Sequence, residues 1–411
     1  MPVVEGLCET REVFDAIDRL ARLLYECDGR CTIVLRTPDT LPAYGNLVCN
    51  RSALYKLLGA SSDREAYLRV IRALESPRTP NEASFSEYYE AVQLPLRKLP
   101  AVRFYDCDGG PYLTGGVIVA CKDEACNASI HRMMLARDRL VARVVPRHLH
   151  RMLRESGGRL PVAVVLGAHP AFELAAATSP PYGVYEAFVA SSLGWRGELC
   201  RTPRYGIPVP CDARVVIEGV LGGEYEREGP FADILLLCDR VREQPVFKPE
   251  QVYVSKVYEP AVWQVLPGGE EHRLLMGFPR EALIWDAVRR AVGREPRVRL
   301  ARSGGSWLTA FISFEEIERH DAKIAVMAAF SAHPSLKIVV VTLNDVNIDS
   351  EVDVNWAIAT RLSSPDDLVI INNVRVSSLD PSSKDGVGVK LGIIALPQGD
   401  KERFTRPRLV G

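Results

Sequence analysis

The sequence predicts a mixed α/β (α+β) fold with a β-rich centre between two α/β parts, and three observations predict it. Apolar residues recur at helical spacing near the N-terminal end. Short β-like runs broken by Gly and Pro follow from about Leu99 to Leu274, and helices alternating with strands return from Glu281.

Taken in order, Val13, Phe14, Ile17, Leu20, Ala21 and Leu24 share one helical face. Tyr67 to Leu74 repeat that pattern, and TIVL between them reads as a strand, so residues 1–98 form a small α/β lobe. AVRFYD, YLTGGVIVA, VARVV, PVAVVLG, ARVVIEGV and DILLL then read as the strands of a β-rich domain or barrel, assigned to residues 99–274. In residues 275–411, helical ALIWDAVRRAV precedes strand-like SWLTAFISF, a helix, the strand KIVVVTL and a helix from Asp353 to Arg361. Such alternation implies a mostly parallel sheet.

Composition removes several function classes. The 411 residues carry a formal net charge of -1, so no global positive field would draw the chain to nucleic acid or an anionic membrane. No apolar run approaches a membrane span, and the first residues lack a basic segment leading into an apolar one, so a cytoplasmic location is expected. The ten cysteines contain no CxxC pair, which argues against a zinc knuckle or ferredoxin-type cluster, and they are read as buried thiols. The 51 basic residues divide into 41 Arg and 10 Lys, a bias that fits a heat-adapted source in which one or two internal disulfides would be in keeping.

The chemistry is carried by four separated blocks. An apolar strand runs into a loop and then NASIHR, with Asn127, Ser129, Ile130 and Arg132. PRHLH follows with His148, then ATSPPYGVYEAF with Thr178, Ser179 and Glu186, then EYEREGPFAD with Glu228 and Asp233. One amide oxygen, one imidazole and one carboxylate make a mixed O/N set suited to Mn2+ or Mg2+. A guanidinium can grip a carboxylate in a two-pronged contact, and a carboxylic acid can deliver a proton. His131, His150 and His169 are read as structural or solvated, and Glu224 and Glu226 as a solvated turn.

In their order and spacing these blocks resemble the UbiD family of reversible decarboxylases, over most of the chain from about Leu99 to Leu396. The resemblance implies a central split β-barrel that binds prenylated FMN, flanked by α/β regions. It implies Asn127, His148 and Glu186 as ligands of a Mn2+ or Mg2+ ion that anchors the flavin phosphate. Arg132 and Glu228 become the catalytic pair, with Asp233 as the second acid of the EGPFAD motif. Thr178 and Ser179 fall where the family binds flavin phosphate and K+. Ser129 and Ile130 line the cofactor, and Lys390 resembles a family Lys near it, although the family's following DAT is replaced here by IAL.

The implied reaction is nonoxidative decarboxylation of an α,β-unsaturated acid. The short, Arg-rich chain looks like the archaeal subgroup that converts trans-anhydromevalonate 5-phosphate to isopentenyl phosphate in a modified mevalonate pathway. An aromatic acid is the alternative substrate, and a non-catalytic FMN carrier or redox protein is the alternative of another class. A flavin prenyltransferase would supply the cofactor, and a homo-oligomer, dimer or hexamer, is expected. The stretch Arg302-Ser303-Gly304-Gly305-Ser306 is a candidate holder of a substrate phosphate.

Overall fold

The computed structural model describes residues 7–384 and 386–407. The chain divides into two compact units at Met276 and Gly277.

In the first unit, β1 (Glu9–Phe14) lies parallel to β2 (Cys31–Arg36), whose other side takes the antiparallel β3 (Ala43–Gly45). Val262–Trp263 completes this four-stranded sheet beside β3. The helix expected from Val13 onward is therefore shorter. Only a 3-10 turn at Ile17–Arg19 and α1 (Leu20–Glu26) are helical, while Val13 and Phe14 belong to β1. The ladder to β2 satisfies the backbone of Glu9–Phe14, which overrides a helical spacing that only the later apolar residues use. The second expected helix is present as α2 (Asp63–Glu75), started by Ser62 Oγ accepting from the Glu65 N–H, and it buries Tyr67, Val70 and Ile71.

The β-rich centre is a closed six-stranded antiparallel barrel. Its strands are β4 (Tyr112–Lys122), β5 (Ala125–Ala136), β6 (Arg139–Ala142), β7 (Arg159–Leu166), β8 (Val215–Glu228) and β9 (Arg242–Ser255). They follow one another as β8-β7-β4-β5-β6-β9, and pairing of β8 with β9 closes the ring. Closure leaves no open sheet edge except where Tyr89–Val92 adds to β9. Ile118, Met133, Val164, Ile217 and Phe247 fill the core, which Leu149, Met152 and Leu153 of α3 (His148–Glu155) join.

Two strands depart from the expected pattern. The loop expected before NASIHR is a tight turn at Asp123 and Glu124, and NASIHR itself, given no element in the sequence, lies inside β5. β9 contains Pro245 and Pro249, which hid it in the sequence; a register shift lies beside Pro249, where such a residue is tolerated. DILLL is not a strand. The Asp233 carboxylate accepts from the Leu235 and Leu237 N–H groups and bends that segment into a turn.

The second unit holds a five-stranded sheet in the order β10 (Arg297–Leu300), β11 (Thr309–Phe314), β12 (Ile338–Leu343), Val387–Ile394 and Leu368–Arg375. Its three central strands run parallel, as the alternating pattern predicts, and both edge strands are antiparallel. Helices Arg319–Ala332 and Glu351–Arg361 lie in the expected places between strands.

The cysteines correct the buried-thiol expectation. All ten are paired, as Cys8–Cys49, Cys27–Cys31, Cys107–Cys238, Cys121–Cys126 and Cys200–Cys211. Cys121 and Cys126 stand directly opposite each other in the β4–β5 hairpin, a pairing that register and not sequence spacing creates.

Candidate active site

Side-chain alternation along β5 puts Asn127, Ser129 and His131 on one face of the strand and Ala128, Ile130 and Arg132 on the other. The first face is tied into a chain: Ser129 Oγ donates to Asn127 Oδ1 at 3.1 Å and lies 2.8 Å from His131 Nε2, while His131 Nδ1 is 2.8 Å from the Arg143 carbonyl. His131 is a buried structural residue, and burial holds its imidazole down at about 4.

Glu186 opens helix α4 (Glu186–Ser192) and reaches this strand. Its Oε1 accepts from Asn127 Nδ2 at 2.7 Å and its Oε2 from the Ala128 N–H at 2.6 Å. Only 1% of Glu186 is exposed, and burial pushes its carboxyl up to about 8 despite these donors. Two proposed ligands of three are thus in direct contact.

His148 opens α3, half-buried, with its ring 5.5 Å from that of Tyr182. Burial, then Arg147 and Arg151, hold its imidazole below the ordinary value, which favours the neutral form that a metal needs. Thr178 is buried and donates to the Ala175 carbonyl, and exposed Ser179 accepts from Arg147 at 3.3 Å. Among the described residues, no cluster of three His, Cys, Asp or Glu side chains is placed to hold a metal.

On the other face, Arg132 meets Glu228 at the end of β8. Arg132 Nε and Nη2 donate to Glu228 Oε1 and Oε2 at 2.8 and 3.1 Å. Glu228 is fully buried, and Tyr112 donates to its Oε1 at 3.2 Å. The Arg132 guanidinium lies 4.5 Å from the centre of the Phe231 ring, a cation–π contact that fixes its plane. Gly229 after Glu228 adopts φ +97°, and a Cβ on Gly109 would meet its carbonyl at 2.1 Å, so the EGP turn needs glycine at both positions.

A residue that sequence reasoning missed completes this cluster. Asp239 Oδ2 accepts from Arg132 Nη2 at 3.1 Å and from Arg242 Nη1 at 2.5 Å, and lies 4.0 Å from Arg143 Nε. Asp233, singled out beside Glu228, instead caps its own turn. Only the signal that a hairpin must return after EGPF could have pointed to Asp239.

Lys390 sits in the second unit, buried, with Nζ donating to the Pro334 and Leu336 carbonyls, each at 2.6 Å. Burial lowers its ammonium to about 8. In the Arg302–Ser306 stretch, the Ser303 N–H donates to the Glu351 carboxylate at 2.8 Å, so a group of the chain itself takes this donor.

Residues 78–270 match the 3-octaprenyl-4-hydroxybenzoate carboxy-lyase Rift-related domain of UbiD, and residues 273–395 match the C-terminal domain of the same enzyme family. A protein of Aeropyrum pernix named anhydromevalonate phosphate decarboxylase is 44% identical over 92% of this chain and 87% of its own. One of the same name from Methanocaldococcus jannaschii is 36% identical over 97% of each. Among solved structures, the UbiD-class enzyme HmfF from Pelotomaculum thermopropionicum in complex with FMN superposes with a TM-score of 0.91 at 29% identity, covering 98% of this chain and 95% of that one. An evolved dimeric form of HmfF in complex with prenylated FMN gives 0.87 at 28% identity over 98% and 94%.

Proposed function

The chain belongs to the UbiD family of decarboxylases, and we propose that its substrate is trans-anhydromevalonate 5-phosphate, which loses CO2 to give isopentenyl phosphate. The names of the relatives at 44% and 36% identity support this substrate. The observation that carries the chemistry is the two-pronged contact of Arg132 with the fully buried Glu228. A carrier protein would have no use for a buried acid held against a cation.

The residues fit a metal-anchored flavin. The Glu186 carboxylate is buried on neutral N–H donors, and the high proton affinity that burial gives it is what a divalent cation would reverse. Asn127 and His148 add the amide oxygen and neutral imidazole that Mn2+ or Mg2+ accept. We assign the metal to these three residues and the flavin phosphate to the side of Ser129, Thr178 and Ser179, with Ile130 against the cofactor and K+ near Ser179. Lys390 is left out because two carbonyls of its own unit hold it. When bound, prenylated FMN supplies the electron sink for the pair left behind by CO2.

The chain's own residues do the rest. Arg132 offers the incoming carboxylate the guanidinium edge that Glu228 occupies at rest, which orients the carbon–carbon bond to be broken. Glu228, once the substrate carboxylate has displaced it from Arg132, takes up a proton and, held by Tyr112, delivers it to the carbon that carried the carboxyl group. The barrel wall excludes water from Glu228. Asp233 shapes the loop after Gly229-Pro230 and acts on the acid only through it. A homo-oligomer working in the cytoplasm with a flavin prenyltransferase as cofactor supplier completes the reading; among the described residues no helix is long and apolar enough to cross a membrane.

The test is cofactor dependence. Protein purified from cells with a flavin prenyltransferase should carry a flavin with the mass and absorption of the prenylated form and release CO2 from the phosphorylated acid. Protein from cells lacking that enzyme should be inactive. Equal activity with plain FMN would refute the reading.

A further inference from the structure

The barrel brings together more positive charge than the decarboxylation chemistry uses. Arg132 and Arg143 stand opposite each other where β5 and β6 diverge, one position beyond the Met133–Ala142 pair, with the Arg143 N–H donating to the Arg132 carbonyl at 3.1 Å. Opposite residues of antiparallel strands project to the same face with Cβ atoms about 5 Å apart, and like charges there repel. Arg242 joins them from β9, opposite Glu228. Three guanidinium groups, with 13%, 17% and 20% of their side chains exposed, therefore face two carboxylates, Glu228 and Asp239.

Arg143 is the least compensated. Its Nε is 4.0 Å from Asp239, and among the described residues its Nη1 donates only to the Val144 carbonyl at 3.4 Å, which commits few of its five N–H donors within that set. Burial, then Arg242 and Arg132, pull its guanidinium below the ordinary value, as expected of a cation short of counter-charge. A chain of net charge -1 that concentrates an excess of partly buried arginines in one place has built a site for an anion.

We propose that Arg143 and Arg242, held in place by Asp239, form the subsite for the substrate's phosphate group. The inference rests on the substrate reading above. Arg132 takes the carboxylate, and the second anionic group of this six-carbon acid lies at a distance comparable with the spacing of neighbouring strand positions. Planar guanidinium forks match phosphate oxygens in two-pronged contacts. Arg143 and Arg242 are then specificity-determining residues: they select a phosphorylated acid over its unphosphorylated counterpart.

The experiment uses holoenzyme loaded with prenylated FMN and the variants Arg143→Gln, Arg242→Gln and Arg143→Lys. Substitution leaves the backbone bonds of Arg143 in place, and flavin content with circular dichroism checks the fold. Arg143→Gln should raise KM for the phosphorylated acid about 10- to 100-fold, with a smaller change in kcat, and lower the preference for phosphorylated over unphosphorylated acid by at least tenfold. Arg143→Lys should recover part of that preference. Inorganic phosphate should inhibit the wild type competitively and Arg143→Gln at least tenfold more weakly. An unchanged preference, an equal loss on both acids, or loss of flavin from Arg143→Gln would overturn the assignment. If the wild type does not accept the phosphorylated acid, the substrate reading fails separately. The binding of inorganic phosphate to the same variants, measured by calorimetry, then decides the anion site, and equal binding or none by the wild type overturns it.

Discussion

Replacing Arg132 with Met keeps the length of the side chain and removes its charge. Three hydrogen bonds disappear, two to Glu228 and one to Asp239. The consequences for the two acids differ. Asp239 keeps Arg242 at 2.5 Å, whereas Glu228, fully buried, keeps only the hydroxyl of Tyr112. Breaking a buried ion pair on one side costs about 3 to 5 kcal/mol, most of it from the charge left without a partner. Arg132→Met should therefore shift the urea midpoint of the apoprotein strongly. Glu228→Gln in the same background should restore much of the loss, because it removes the stranded charge. A double-mutant cycle should give a coupling of at least about 2 kcal/mol. In holoenzyme, CO2 release by Arg132→Met should fall by roughly 100- to 1,000-fold, the usual loss of a donor aimed at developing or departing charge. Additive midpoints within about 0.5 kcal/mol would show that the pair does not act as a unit and would refute the reasoning.

Glu228→Gln should retain flavin and lose turnover by about 100- to 10,000-fold, while Asp233→Asn loses less; comparable losses would mean that Asp233 does more than shape its turn. His148→Ala and Glu186→Gln should each release metal and flavin from a folded protein, and full occupancy by metal analysis would remove them from the ligand set. For pH, burial raises Glu271 to about 7 and Glu173 well above its ordinary value, so both bind protons more tightly when folded. Their stability contribution is complete below about pH 4.5; that of Glu271, worth up to about 3 kcal/mol, is lost as pH rises through 7, and that of Glu173 is lost at higher pH. His131, held at about 4, acts in the opposite direction, losing stability as pH falls from 6.5 through 4. Thermal midpoints of the apoprotein should thus decline between about pH 6.5 and 8, and a rise across that window would contradict the burial argument.

Much of this site was legible because residue types with few substitutes recur in a fixed order. Asn127, Arg132, Glu186 and Glu228 could be named from sequence, and the fold brings them together in the pairs Asn127–Glu186 and Arg132–Glu228. What was hidden depends on register. Asp239 and Arg143 become functional candidates only because β5, β6, β8 and β9 close into a ring, and ring closure leaves no mark on local spacing. The same holds for Cys121 and Cys126, which read as separate thiols until the hairpin sets them face to face. Asp233 stands out in the sequence as a second acid, but its bonds to the Leu235 and Leu237 N–H groups depend on a turn after Gly-Pro that the sequence read as the strand DILLL. The misread helix at Val13 has a further cause: an edge strand with most of its residues exposed lacks the alternation by which strands are recognised.

The most direct measurement compares three acids on one preparation of holoenzyme carrying prenylated FMN and metal: anhydromevalonate 5-phosphate, the same acid without phosphate, and a cinnamate-like aromatic acid. CO2 release and product identity are measured for each. Isopentenyl phosphate should form from the first, with kcat/KM far above that for the second, and the third should turn over poorly. Comparable turnover of the first two, or a clear preference for the aromatic acid, would contradict a phosphorylated substrate.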